Sequence, residues 1–310
     1  MDTAAIVKKW RNLRRQLRAH KALYLFMLPA LTAVVIFKYM PMYGVSMAFL
    51  DVPLGRRISE GTWVGLKHFI RFFNTSYFSI VIKNTVTISL AANFLTIPLP
   101  IIFALMLHNC KHKRLKKAAQ TATYLPYLMS AVIVVSIINL FCNGSTGLIN
   151  IIRSSAGYSK ISFFGREDMV IPLYVISDIW KSLGYSAIIY VSALSAVDSE
   201  LVEAAMIDGA SKIKRIIHID IPAIAHTIII MLIINMGYIF SLGTEKILLL
   251  QTDLNLNASE TIGTYVYKTG ILSAQYGFST AVELFNTVIC FILLLVTNFI
   301  ARRVSDSHLF

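Results

Sequence analysis

The chain has 310 residues, of which 56% are hydrophobic and only 15% charged, and its formal net charge is +13. A soluble domain of this size carries about 25% charged residues, and the apolar residues here come in runs too long for a soluble core. The composition therefore excludes a soluble globular protein. Because the positive charges flank apolar runs, they indicate membrane orientation and not nucleic-acid binding.

The N-terminal residues 1–21 hold seven lysines and arginines against one acid, and we predict a basic cytoplasmic segment. An apolar run follows at 22–50, interrupted by Lys38 and Pro41. A cleaved signal peptide is the alternative for this run, but its length and its lysine favour an uncleaved first span. Proline residues 98 and 100 are predicted to kink the second span, the first of five further apolar runs at 85–107, 118–142, 169–197, 221–243 and 279–301.

Each run is long enough to cross about 30 Å of hydrocarbon as a helix, and backbone polar groups in lipid must be paired within their own segment. We therefore expect an all-α membrane protein, a six-span helical bundle covering residues 22–303. Seventeen lysines and arginines fall in the segments that are inner if the N-terminus is cytoplasmic, against nine in the outer ones. This asymmetry predicts an N-in/C-in arrangement with a cytoplasmic tail at 304–310.

Polar side chains within the spans mark a candidate substrate pathway, because such groups are costly in lipid and usually line an aqueous path or pair. Asp178 and Lys181 are three residues apart on a helix and can meet as an ion pair. Trp180 and Tyr185 suit a sugar, whose C–H faces pack on aromatic rings. Interhelical hydrogen bonding and interfacial belts are the alternative roles. The candidate pathway residues are Asn93, Asn139, Asp178, Trp180, Tyr185, Asn235, Tyr238 and Glu245.

Glu245 and Lys246 follow the fifth span at the outer mouth, where they are interpreted as part of an outer gate or as a solvated pair. The sequence has no G-x-x-x-x-G-K-[ST] loop, so the chain cannot itself hold ATP in the usual way. The His108-x-Cys110-x-His112 cluster lies among five cations that would repel a metal ion. We expect neither an enzyme nor a resident cofactor or metal, so energy must come from a gradient or a partner.

A polar segment at 198–222 separates the fourth and fifth spans. Asp198 is expected to cap a short helix that ends at Asp208-Gly209, because Gly is the usual residue just past a helix end. Ser211 is expected to cap a second short helix, and Pro222 to close the unit. The alternative is an amphipathic connector lying on the membrane surface, against which the five acids and the glycine bend argue.

This helix–glycine–helix segment resembles the EAA loop of permeases from binding-protein-dependent ABC importers. The resemblance rests on Glu203-Ala204-Ala205, Asp208-Gly209-Ala210, Ile219 and Pro222. In that family the loop is the cytoplasmic coupling element that docks into a cleft on the ATPase subunit. Further stretches at 37–44, 83–85, 178–181, 243–250 and 264–267 are similar to the subgroup of polysaccharide and oligosaccharide permeases.

The resemblance implies a type I ABC importer permease fold, as in the maltose importer, in a multi-pass protein of the bacterial cell membrane. Its implied partners are a second homologous permease in a heterodimer, two ATPase subunits that hold ATP and Mg, an extracytoplasmic substrate-binding lipoprotein and an oligosaccharide moved by alternating access. The alternative is a gradient-driven secondary sugar transporter, which would leave the 198–222 loop without a purpose. The implied ATPase-coupling residues are Glu203, Ala204, Ala205, Asp208, Gly209 and Ala210.

Overall fold

The computed structural model describes residues 19–304, so most of the predicted basic segment and residues 305–310 lie outside the described residues. The architecture is helical, as expected, with one antiparallel pair of short strands, β1 (Leu50–Asp51) and β2 (Thr62–Trp63). The α-helices are α1 (Lys21–Val34), α2 (Lys67–Phe73), α3 (Tyr77–Thr96), α4 (Pro98–His108), α5 (Lys113–Tyr124), α6 (Ala131–Cys142), α7 (Leu148–Ser155), α8 (Val170–Leu194), α9 (Ser199–Ile207), α10 (Lys212–Arg215), α11 (Ile221–Gly237), α12 (Thr244–Leu250), α13 (Leu256–Ser259), α14 (Ile262–Tyr267) and α15 (Tyr276–Val304).

Short segments of 3₁₀ helix and π-helix lie between these α-helices, and most of them extend a neighbouring α-helix. Segments of 3₁₀ helix run over Met40–Phe49, Ile58–Glu60, Leu125–Leu128 and Glu167–Met169. Wider π-helical turns run over Val35–Tyr39, Ile216–Asp220 and Lys268–Leu272.

Four helical stretches of the described chain are long and apolar enough to cross a membrane: Lys21–Phe49, Tyr77–His108, Lys212–Gly237 and Tyr276–Arg303. They coincide with the first, second, fifth and sixth predicted spans. The second is interrupted at Ile97, next to Pro98 as predicted. A bent helix pair over the third predicted span makes a fifth stretch if it is counted as one span. The fourth predicted span forms α8, whose 25 residues extend about 38 Å but carry a row of polar side chains.

The third predicted span, at 118–142, is not one continuous helix. Its two halves, Lys113–Leu128 and Ala131–Cys142, meet at an angle of 105°. Pro126 cannot donate a backbone hydrogen bond, and Met129 adopts an extended conformation. Ser130 then starts α6 by accepting a hydrogen bond on its side chain from the Ile133 amide at 3.3 Å. A proline followed by a new N-cap therefore divides the run.

Pro222 does not close the 198–222 segment, contrary to the prediction. The helix that begins at Lys212 continues through the π-helical turn at Ile216–Asp220 and on to Gly237. Proline inside a helix lacks an amide donor and crowds the carbonyl four residues before it. The widened turn immediately before Pro222 is where the helix accommodates that residue.

The long helix α8 lies at the centre of the packing. One buried cluster joins it to α3, α6 and α12, and a second joins it to α4 and α11. A third cluster, built on Phe72 and Phe278, ties α2, α3, α14 and α15 together. By contrast, α1 has no buried residue. The apolar side chains of α1 therefore face away from the rest of the chain.

Candidate translocation cavity and coupling loop

A cavity of about 250 Å³ lies between α3, α8 and the end of α11. Its wall on α8 is a row of polar side chains spaced four residues apart, which places them along one side of the helix. The row consists of Tyr174, Asp178, Ser182, Ser186 and Tyr190. A continuous line of hydroxyl groups around one carboxylate is suited to hydrogen bonding with a polar ligand.

The opposite walls add amides and further hydroxyls. Asn93 and Thr96 come from α3, and Asn235, Tyr238 and Ser241 come from α11 and the residues after it. The Asn93 side chain donates to the Ser89 carbonyl at 2.8 Å, which leaves its amide oxygen available. The structure thus brings four predicted pathway residues to one cavity: Asn93, Asp178, Asn235 and Tyr238.

The other four predicted pathway residues lie elsewhere. Asn139 lines a separate cavity of about 350 Å³ next to Ser136 and Thr252. Trp180 lines an apolar groove of about 530 Å³ between α6, α7 and α8. Tyr185 stacks on Tyr127 with parallel rings 3.8 Å apart, and Glu245 is exposed in the first turn of α12.

Helix geometry explains why Trp180 is separated from the cavity. Two residues beyond Asp178 correspond to a rotation of about 200° around the helix axis, so Trp180 lies on the other side of α8. The proximity of these two residues in sequence therefore does not place them in one site.

Asp178 pairs with Lys246 and not, as expected, with Lys181. Lys246 donates to an Asp178 carboxylate oxygen at 2.9 Å and to the Tyr174 carbonyl at 3.0 Å. Its ammonium also lies 3.8 Å from the centre of the Tyr174 ring, a favourable cation–π distance. Lys246 is only 5% exposed, so its charge is compensated inside the protein and not by water. Lys246 thus faces inward while Glu245 faces outward.

A buried polar network fixes the segment that follows α12 against α3. The Asn84 side chain donates to the carbonyls of Asn257 and Glu260 at 2.7 and 2.9 Å. The Thr85 hydroxyl accepts from the Ile262 amide at 2.9 Å. Glu260, which is 2% exposed, pairs with Lys268. These contacts fix the residues that follow α12, the helix that carries Lys246, against α3.

The 198–222 loop adopts the predicted helix–glycine–helix form. The Asp198 side chain accepts from the Glu200 amide at 2.9 Å and begins α9, which ends at Ile207. Gly209 has φ +75°, a left-handed conformation that residues with a Cβ rarely adopt. Ser211 then caps α10 by accepting from the Lys214 amide at 3.4 Å.

The surface of this loop is available to another molecule. None of the residues 195–219 is buried within the chain. Large apolar side chains flank the glycine, with Ile207 86% and Ile213 68% exposed. A Cβ built on Gly209 would meet nothing within 4 Å. The predicted coupling residues, Glu203, Ala204, Ala205, Asp208, Gly209 and Ala210, all lie on this projecting unit.

Further polar residues on the cavity wall, Ser182 and Ser186 among them, are not among the sequence-predicted pathway candidates, and neither is Lys246, the ion-pair partner of Asp178. Ser182 and Ser186 continue the four-residue spacing from Asp178, a signal that is visible in the sequence. Lys246 is 68 residues away from Asp178 and was predicted only as a gate or solvated pair at the mouth. No local pattern could predict its contact with Asp178, which depends on how α12 packs.

Residues 96–306 match the family model described as the binding-protein-dependent transport system inner membrane component. The chain belongs to this family. YteP of Bacillus subtilis (strain 168), a polygalacturonan/rhamnogalacturonan transport system permease protein, is 37% identical over 309 residues, covering 99% of this chain and 96% of the relative. Protein LplB of the same strain is 38% identical over 294 residues, covering 95% and 92% of the two chains.

The fold also matches solved structures. A chain of a bacterial ABC transporter involved in the import of the acidic polysaccharide alginate superposes with a TM-score of 0.86 at 34% identity, covering 94% of this chain and 99% of that one. A second structure, of a bacterial alginate ABC transporter in complex with an alginate pentasaccharide-bound periplasmic protein, gives the same TM-score at 33% identity, with 95% and 99% coverage.

Membership of this family fixes the class of activity. The chain is a multi-pass permease component of a binding-protein-dependent ABC importer in the cell membrane, and it is not an enzyme. The importer class predicted from the EAA-like residues is confirmed, and the gradient-driven alternative is not supported.

Proposed function

We propose that this permease imports oligosaccharides or polysaccharide fragments by alternating access, driven by ATP hydrolysis on a separate ATPase. The relatives support the substrate class, because the names of YteP and of the alginate transporter refer to polysaccharides. The cavity on α8 fits it as well, since a polyhydroxylated ligand exchanges hydrogen bonds with hydroxyls, amides and a carboxylate.

The main support for the proposal is the conformation and exposure of the 198–222 loop. A short capped helix, a left-handed glycine and a second capped helix make a compact unit, and its apolar tip is not covered by any of residues 19–304. An exposed apolar patch of this kind marks a surface for a partner. We assign Glu203 and Gly209 to docking on the ATPase, with Ala204, Ala205, Asp208 and Ala210 beside them.

We also propose how the chain is arranged in the membrane. Six spans cover 22–303, with α8 as the fourth and the bent α5–α6 pair as the third, and both termini, 1–21 and 304–310, are cytoplasmic. The lysine and arginine asymmetry supports that orientation, which also places the 198–222 loop inside. The residues that would form the substrate pathway are those on the cavity wall, above all Asn93, Asp178, Asn235 and Tyr238.

The chain works within a larger assembly. A second homologous permease completes the pathway, an extracytoplasmic lipoprotein delivers the oligosaccharide, and two ATPase subunits bind ATP and Mg. The absence of buried residues on α1 supports a neighbouring subunit or lipid along that helix. ATP-driven closure of the ATPases moves the coupling loops and opens the cavity outward, and hydrolysis resets it inward.

Coupling is tested with the complete importer in proteoliposomes containing Gly209→Asp. The side chain places bulk, charge and strained backbone at the tip of the loop, so we expect uptake and ATPase co-purification to be lost while the permease still inserts. Gly157→Asp is the matched control, because Gly157 also has a left-handed φ of +84° and open space around it. Normal coupled uptake by the Gly209→Asp importer would refute the assignment of the loop.

The substrate class is tested by uptake of labelled saccharides into cells with and without this chain. The panel contains neutral and uronic-acid oligosaccharides of several lengths, with an amino acid and a dipeptide as controls. We expect saccharide uptake that depends on this chain. Dependence only for the amino acid or the peptide would contradict the proposal.

A further inference from the structure

A polar contact joins the 198–222 loop to the end of α4. Asp220 lies in the π-helical turn between α10 and α11 and is only 3% exposed. The Asn109 side-chain amide donates to its carboxylate at 3.1 Å and to the Leu105 carbonyl at 3.1 Å. Lys212 donates to the Asn109 backbone carbonyl at 3.3 Å. Residues 109, 212 and 220 are called the clasp below.

The clasp has a defined position between the loop and the cavity. Asn109 is the C-cap residue directly after α4, and α4 packs on α8 and α11 through a buried cluster that includes Leu105, Tyr190 and Ile224. Tyr190 belongs to this cluster and also lines the α8 cavity. A displacement of the loop is therefore connected to the cavity wall by an uninterrupted series of packed side chains.

Because Asp220 is buried, losing its hydrogen bond with Asn109 is energetically costly. A carboxylate removed from water must keep its hydrogen-bond partners, and an unpaired one is costly. Asn109 is fixed in turn by its bond to Leu105, so it cannot rotate freely to follow or to release Asp220. The contact thus links two helical segments that are 111 residues apart in sequence.

We infer that the Asn109–Asp220 contact of the clasp is a positioning element for transport, through which the coupling loop moves α4 and the cavity wall together. The inference rests on the proposed function of the loop. Asn109 and Asp220 touch neither ATP nor substrate. Their loss would leave ATP hydrolysis running with less substrate moved per ATP.

The experiment exchanges the two side chains in the complete importer, with partner permease, ATPases and binding protein in proteoliposomes. Asn109→Asp places two carboxylates in contact and breaks the hydrogen bond. Asp220→Asn preserves it, because the new amide still offers an oxygen to Asn109. The double variant restores the hydrogen bond between positions 109 and 220 with reversed polarity, but its carboxylate at 109 cannot donate to the Leu105 carbonyl. Asn109→Ala removes the bond without adding charge.

We expect Asn109→Asp and Asn109→Ala to retain ATP hydrolysis but to lower uptake per ATP hydrolysed by about tenfold. Asp220→Asn should stay within about twofold of the parent ratio. The double variant should recover part of the loss seen in Asn109→Asp, because it regains the bond between positions 109 and 220 but not the bond to the Leu105 carbonyl. A purely structural contact would lower hydrolysis and uptake in proportion, and that result would overturn the inference. So would a double variant as poorly coupled as Asn109→Asp, or an unchanged ratio in Asn109→Ala.

Co-purification separates this inference from the proposed function. Clasp variants should retain the ATPase subunits, whereas Gly209→Asp should lose them. Normal ATPase binding and coupled uptake by Gly209→Asp would reject the loop as the docking element. A normal coupling ratio in the clasp variants, with Gly209→Asp still defective, would reject the clasp alone.

Discussion

At the scale of single residues, the ion pair between Asp178 and Lys246 is asymmetric. The Lys246 side chain is 6% exposed, whereas the Asp178 side chain is 33% exposed and lines the cavity. Water in the cavity can therefore solvate the carboxylate, but water does not reach the ammonium in the same way. The two ends of this pair should tolerate the loss of their partner to different extents.

We predict that Asp178→Leu lowers the thermal unfolding midpoint of the detergent-solubilised importer much more than Lys246→Met does. Asp178→Leu leaves a buried ammonium without its counter-charge, at a cost of about 3 kcal/mol, while Lys246→Met leaves a carboxylate that faces the cavity. The double variant should be more stable than Asp178→Leu alone. Equal destabilisation by the two single variants, or no recovery in the double variant, would contradict this interpretation.

The sequence predicts individual site residues well only where the relation between them is local. The cap at Asp198, the bend at Gly209 and the cap at Ser211 follow from neighbouring residues, and all three are present in the structure. The expected pairing of Asp178 with Lys181 is wrong, because it considered one helix alone. Lys246 reaches Asp178 from α12, and only the packing of α12 on α8 brings it there.

At the scale of helices, one close approach determines how the bent third span packs against α8. A Cβ added to Gly184 would lie 2.4 Å from the backbone carbon and oxygen of Thr123. Backbone atoms cannot move aside as a flexible side chain can. The absence of a side chain at Gly184 is therefore what allows α5 to cross α8 at this distance.

We predict that Gly184→Ala destabilises the permease, by about 1–3 kcal/mol, because the methyl group forces the two helices apart. Gly44→Ala is the matched control, since a Cβ at Gly44 meets nothing within 4 Å. Unfolding midpoints and the monodisperse yield after detergent extraction report the difference. Similar values for Gly184→Ala and Gly44→Ala would show that the close approach is not needed for stability.

Sequence patterns predict where helices occur better than they predict where each helix begins and ends. Apolar runs predicted where helices occur, and Pro98 marked the break in the second one. Pro126 is the same kind of signal, but the apolar run continues on both sides of it and conceals the break. The 105° bend requires Ser130 to begin a new helix, a local feature that hydropathy alone does not reveal.

At the scale of the whole molecule, the first helix indicates that the chain does not fold in isolation from its surroundings. None of the residues in the membrane-spanning part of Lys21–Phe49 is buried, and the Phe26 side chain is 83% exposed. Lipid can cover such a surface, and so can a neighbouring subunit. The sequence shows that this segment is apolar, but apolar residues are equally suited to contact with lipid and with another subunit.

We predict that the chain produced without the proposed second permease inserts into the membrane but is degraded faster, and that co-expression of that permease restores its abundance. The physical reason is that subunit contacts stabilise the folded state by mass action. Pulse-chase half-lives provide the measurement, with mRNA levels as the control. A half-life that is unaffected by the partner would mean that lipid alone suffices to cover α1.

The central claim, that the 198–222 loop is the cytoplasmic contact with a separate ATPase, is most directly tested by cross-linking at Ile207. This residue is 86% exposed at the tip of α9, and Cys110→Ser provides the background, because Cys142 and Cys290 are buried. We predict that Ile207→Cys cross-links to the ATPase subunit and resists a membrane-impermeant maleimide added to intact cells. Labelling of the Ile207→Cys variant from outside the cell, together with no adduct to the ATPase, would contradict the account.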